Sequence, residues 1–183
     1  NAILTQAKQP VLREHYALLE PYSRAAIVEE TGGVARYLLL EPTLTKADEA
    51  WITQIKDILW DELTMGVTEF KEKKESEEFL KKRVEETARR YKIKVDPHTL
   101  AKYQYYITRD FLGLGIIDGL MRDEHIEDIS CDGISIPIFV WHREYESMPS
   151  NVAFRTREEL ESFILKLAYL CNRQISLAQP LLD

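Results

Sequence analysis

The sequence predicts an α+β fold, and three observations predict it. Two strand-forming runs flank a double glycine near the N-terminus, three apolar stripes at helical spacing follow, and a second pair of strand-forming runs after Gly113 leads into a further amphipathic helix. Apolar residues at i, i+3, i+4 and i+7 mark one face of a helix, whereas strict alternation marks a half-buried strand, so the change of period along the chain carries the signal. The expected arrangement is an N-terminal helical bundle with a β-hairpin over residues 1–112, followed by a small α/β sandwich over residues 113–183.

Residues 24–29 and 34–40 favour strands, and Thr31-Gly32-Gly33 between them supplies the positive-φ positions of a tight antiparallel hairpin. Pro42 closes the second strand. Thr45 with Asp48 three residues later has the pattern of a capping box, and Trp51, Ile52, Ile55, Ile58, Leu59 and Leu63 then recur on one helical face up to about Gly66. A second helix is expected over residues 76–91, with Phe79, Leu80, Val84, Thr87, Ala88 and Tyr91 as its stripe. Its charges suit the helix dipole, with Glu75, Glu77 and Glu78 at the start and Arg89, Arg90 and Lys92 at the end. Asp96 as N-cap and Pro97 at the first helical position open a third helix through Leu100, Tyr103, Ile107 and Phe111.

Gly113 and Gly115 break the helical period and mark the expected internal boundary. Beyond them, residues 127–131 alternate and residues 136–141 are rich in Ile, Phe and Val, which predicts two strands joined at Asp132-Gly133. Thr156 with Glu159 repeats the capping-box pattern, and Leu160, Phe163, Ile164, Leu167, Ala168 and Cys171 form the next stripe.

With 183 residues, 45% of them hydrophobic, the chain is long enough to bury one or two cores, so a soluble globular protein is expected. The net charge of −7 disfavours a nucleic-acid partner, whose phosphates reward clustered Lys and Arg. Residues 71–94 are the exception, with ten Lys or Arg against six Glu. This segment either faces an anionic surface or acidic partner, through Lys81, Lys82 and Arg83 in particular, or is a solvated helix laced with pairs such as Glu78 with Lys82 and Glu85 with Arg89. No run approaches the ~20 apolar residues that span a bilayer. Cys131 and Cys171 form no metal-binding or redox spacing and are expected to be buried thiols.

The chemistry-bearing residues are sparse. No GxxxxGK[ST] loop can be written, and Gly113-Leu114-Gly115 is followed by Asp118 where a dinucleotide fingerprint needs its third glycine. No cofactor, metal or catalytic position is therefore assigned within the chain. His125 stands among Asp123, Glu124, Glu127 and Asp128, which reads as a solvated acidic turn in preference to a metal site. His142 reads as the end of a strand, with no nucleophile nearby in sequence. Tyr103, Tyr105 and Tyr106, with Lys102 and Arg109, resemble the stacking platforms of single-strand binders in composition. Helical spacing instead sends Tyr103 and Ile107 one way and Tyr105 and Arg109 another, as for packing.

Residues 113–133 (GLGIIDGLMRDEHIEDISCDG), 136–145 (IPIFVWHREY) and 172–183 (NRQISLAQPLLD), in that order, resemble the N-terminal domain of archaeal secretion-type ATPases, which drive type II and type IV secretion, pilus assembly and the archaellum motor. The resemblance covers about the last two thirds of the chain. It implies that residues 113–183 are a small PAS-like unit ahead of a RecA-like core carrying the Walker motifs, and that ATP and Mg²⁺ are bound by the parent through residues absent here. It further implies a hexamer, docking on neighbouring ATPase subunits and on a polytopic membrane platform protein, and a cytoplasmic position peripheral to the membrane's inner face. The alternative is a free-standing PAS-like sensor or scaffold module that binds a small ligand or a protein.

Overall fold

The structure, a computed structural model, describes residues 9–65 and 73–171. It is α+β, with two three-stranded antiparallel sheets. Strands β1 (Val11–Leu19), β2 (Ser23–Glu29) and β3 (Ala35–Leu40) form the first sheet in that order. Helices α1 (Lys46–Met65), α2 (Lys73–Arg90) and α3 (Pro97–Leu112) follow. A 3₁₀ turn over Gly115–Ile117 and the one-turn α4 (Asp118–Met121) lead to β4 (Ile126–Ser130), β5 (Phe139–His142) and β6 (Glu146–Pro149), which form the second sheet. Helix α5 (Arg157–Leu170) closes the described chain.

The hairpin forms as the sequence predicts: Ile27 pairs with Tyr37 and Ala25 with Leu39, and Gly32 and Gly33 take φ of 106° and 82° in the turn. Those angles cost an L side chain strain that glycine avoids. Strands β1 and β6 were not expected. β1 mixes charged and apolar residues and lies at a sheet edge, where one face stays wet and alternation is weak. β6 ends in Pro149, which argues against a strand until its edge position is known. β5 begins at Phe139, later than expected, because Ser135 and Ile138 donate their N–H groups to Phe154 and Val152 instead of to β4.

The compact units do not follow the division 1–112 and 113–183. Among the described residues, one unit gathers 9–19, 24–40 and 119–171, so the N-terminal sheet belongs with the second sheet; the other gathers 20–23, 41–65 and 73–118 and is helical. The reason lies in the strands. Tyr37 makes a parallel bridge with Ser150, the Asn151 N–H donates to the Tyr37 carbonyl at 3.1 Å, and the Asn151 amide accepts from Leu39 N–H at 2.8 Å and donates to Leu39 O at 2.9 Å. One side-chain amide thus takes the place of a strand partner and joins β3 to the segment after β6. The core of this unit holds Ile27, Tyr37, Leu39, Leu120, Ile138, Val140 and Met148, all buried.

In the helical unit α1, α2 and α3 pack on one another through Ile52, Ile55 and Leu59, Leu80 and Val84, and Tyr103 and Ile107. Both predicted starts are realised. Asp48 Oδ2 accepts from the Thr45 N–H at 2.8 Å while Thr45 Oγ1 accepts from the Asp48 N–H at 3.2 Å, and Asp96 accepts from the N–H groups of His98 and Thr99. The end of α1 near Gly66 and the Leu63 side chain lie outside the described residues. At Gly113 a Cβ would come within 2.7 Å of the Arg109 carbonyl oxygen, so the glycine permits a close backbone approach at the end of α3.

The α3 tyrosines pack, as their helical spacing suggests, and both faces that carry them are covered: Tyr103, Tyr105 and Tyr106 are all buried. Their hydroxyls donate to Asp48, to Glu41 and to the Pro42 carbonyl, and Arg109 reaches Glu41 at 2.7 Å while lying over the Tyr106 ring. They clamp the connection from β3 to α1. A correction concerns the thiols, since Cys131 and Cys171 are both exposed. Cys131 falls one residue past the last ladder pair, Ser130 with Phe139, and Cys171 caps α5, so neither stands on a covered face.

Candidate functional site

A dense polar cluster of the sheet unit is built from residues far apart in sequence. Strand alternation along β5 turns Trp141 outward and His142 inward, the histidine being fully buried. A bulge between Ile126 and Asp128 sets Ile126 opposite His142, which brings the turn preceding β4 beside the imidazole. That turn carries Asp123, buried to 5% exposure, and His125, whose ring stacks on His142 at 5.5 Å and 13°. From the other sheet, Tyr16 on β1 and Tyr37 on β3 reach the same carboxylate.

Asp123 is saturated. Its Oδ2 accepts from the hydroxyls of Tyr16 at 2.6 Å and Tyr37 at 2.7 Å, and its Oδ1 accepts from the His125 backbone N–H at 2.9 Å and lies 3.0 Å from His125 Nδ1. A carboxylate offers about four acceptor sites, and all are taken. Burial by itself pushes the carboxyl's pKa up, but these hydrogen bonds outweigh it and hold the group below the usual carboxylate range. Burial, with the Asp123 charge and its hydrogen bond, pushes both tyrosines well above the ordinary phenol value. Such a carboxylate is an anchor and has no lone pair left for a substrate proton or a metal. The reading of a solvated acidic turn therefore fails at Asp123.

His142 has a determined tautomer. The Glu144 N–H donates to Nδ1 at 3.2 Å, so the ring proton sits on Nε2, which faces the Tyr16 oxygen at 3.4 Å. Burial lowers its pKa, the charges of Asp123, Glu14 and Glu144 oppose that, and His125 reinforces it. Tyr145 packs its ring 5.3 Å from the imidazole and donates to Glu14 of β1 at 3.2 Å. Among the described residues, no group of three or more His, Cys, Asp and Glu is disposed to hold a metal ion. The cluster ties β1, β3, the turn before β4 and the β5–β6 corner together.

The candidate docking residues lie on α2, in the helical unit. Lys81 and Lys82 are exposed, and Arg83 is half-buried with an ion pair to Glu86 at 2.9 Å. Of the expected helix pairs, Arg89 meets Glu85 at 2.8 Å. The Lys81 carbonyl accepts from the Gln104 side chain at 3.0 Å, which ties this turn of α2 to α3. The face is thus a surface of the helical unit; the Tyr–Asp–His cluster belongs to the sheet unit, and sequence spacing gave no means of finding it. No helix among the described residues is long and apolar enough to cross a membrane.

No family profile matches this chain. The uncharacterized protein MJ1288 of Methanocaldococcus jannaschii is 36% identical over 148 residues, which cover 81% of this chain and 58% of that protein. Uncharacterized protein MJ0900 of the same organism is 28% identical over 167 residues, 81% of this chain but 30% of its own length. Uncharacterized protein MJ0781, also of that organism, is 31% identical over 85 residues, 46% of this chain and 11% of its own. The chain spans less than two thirds of the length of each of these relatives.

Proposed function

We propose that this chain is the N-terminal regulatory and docking domain of a hexameric secretion, pilus or archaellum assembly ATPase, peripheral to the inner face of the membrane. In this reading the parent's core binds ATP and Mg²⁺, and the domain passes the core's motion to a membrane platform protein. The observation that carries the proposal is the ordered run of residues 113–133 and 136–145, whose residues build the turn before β4, β4 itself and β5. The matched segment is also a minor part of two much longer archaeal proteins, as suits a module joined to further domains.

Lys81, Lys82 and Arg83 on α2 are the proposed platform contact. Reversing all three to Glu in the parent protein is expected to weaken co-sedimentation with platform-containing vesicles while leaving folding within about 0.5 kcal/mol, the usual range for surface sites. Hydrogen exchange across α2 and α3 checks the fold. Undiminished co-sedimentation of a folded triple variant would refute the assignment of this face.

A further inference from the structure

We propose that His142 is a proton-operated latch on β1, released when Nδ1 of the ring gains a proton. In the closed state Nδ1 accepts the Glu144 N–H, and Nε2–H faces the Tyr16 oxygen, whose own proton goes to Asp123. A proton on Nδ1 turns an acceptor into a donor, so two N–H groups then point at each other across 3.2 Å. The β5–β6 corner and the ring cannot both keep their places.

The surroundings decide whether burial or the nearby carboxylates win. From β1 the ring meets Tyr16 and the Glu14 charge; from β3 comes Tyr37, through Asp123; from the turn before β4, Asp123 and the stacked His125. The β5–β6 corner adds Glu144 and Tyr145, while Arg143 pairs with Glu127 of β4. Glu14, Asp123 and Glu144 favour a cation. Asp123 is already saturated and takes no new donor without rearrangement, while Glu14 is held by the Tyr145 hydroxyl. Complete burial prevails, and the folded ring favours the neutral form.

Relief requires water at the ring, and β1 is the element that yields. It is the edge of its sheet, and Val11, Leu12, Arg13, His15 and Ala17 are exposed along it. Elements with few buried contacts open at the lowest cost. The sign follows from linkage: a histidine whose pKa is lowered by folding contributes stability above the unfolded value of about 6.5, and that contribution is lost as pH falls below it.

The test is hydrogen exchange of the whole chain between pH 7.5 and 5, read as protection factors, together with ring titration of the four histidines by NMR. Protection of the β1 amides is expected to fall by up to tenfold per pH unit below about 6.5, the limit for one linked proton. The fall should exceed that in the β2–β3 ladder. His142→Asn, whose amide oxygen can accept the Glu144 N–H without titrating, is expected to abolish the pH dependence, and His125→Gln to retain it. A His142 midpoint at or above 6.5, β1 protection unchanged across this range, or a pH dependence surviving in folded His142→Asn would overturn the proposal. If His142→Asn does not fold, the ring titration and β1 protection of the unaltered chain decide.

Discussion

Removing the Tyr37 hydroxyl tests the tie through Asp123 in the sheet unit. Tyr37 is fully buried and its hydroxyl donates to Asp123 Oδ2 at 2.7 Å. A hydrogen bond to an ionised acceptor contributes about 1.5–3 kcal/mol, so Tyr37→Phe is expected to cost about 2 kcal/mol, since Tyr16 still serves the same oxygen. Tyr16→Phe should cost a similar amount for the mirrored reason. The double variant leaves Oδ2 without either tyrosine in a site where Asp123 is 5% exposed, and the loss should exceed the sum by about 1 kcal/mol. The assay is native-state hydrogen exchange of the β2–β3 amides at pH 7.5. It reads this unit directly, whereas a bulk melt of a two-unit chain does not license a two-state free energy. A cost of 2 kcal/mol appears as about a 30-fold rise in opening. A Tyr37→Phe cost below about 0.5 kcal/mol, or strict additivity of the pair, would show that Oδ2 is not the shared anchor.

The helical unit should be acid-sensitive through Asp48. The Thr45 N–H, joined by Tyr103, the Thr45 hydroxyl and Lys102, holds this carboxyl below the usual range despite burial. Its stabilisation is therefore present above the ordinary carboxylate value of about 3.9 and lost as pH falls below it; Asp48→Asn should flatten the change in hydrogen-exchange protection of the α1 amides between pH 5 and 2, and an unchanged slope would exclude it as the sensor. Thr156→Ala should cost about 1 kcal/mol by removing the acceptor of the Glu159 N–H at the start of α5. Exchange should quicken at Glu159 and Leu160 and leave the helical unit unaffected; equal loss in both units would contradict a local cap.

Several elements are legible in the sequence because their information is local. The α1, α3 and α5 starts rest on side chains that bond backbone three residues away, as Thr45 with Asp48, Asp96 with Thr99 and Thr156 with Glu159 do. The hairpin turn rests on two glycines whose φ is positive, and the α+β class follows from where the hydrophobic period changes. β1 was missed because a half-wet edge strand leaves little alternation, and β6 because Pro149 reads as a breaker.

The sequence alone thus determined the local frame: helix starts, the hairpin, the fold class, and the lack of a phosphate-binding loop between Asn1 and Asp183. Tertiary structure decided which strands share a unit, that both thiols are exposed, and that Tyr16, Tyr37, Asp123 and His142 meet. Those contacts join residues 86, 107 and 126 positions apart. A side chain's pattern reports which face of its own element it occupies, but the partner on that face depends on how distant elements pair. At Asp123, neighbouring charges suggested water, and packing two sheets around the carboxylate replaced that water with two tyrosines and a histidine.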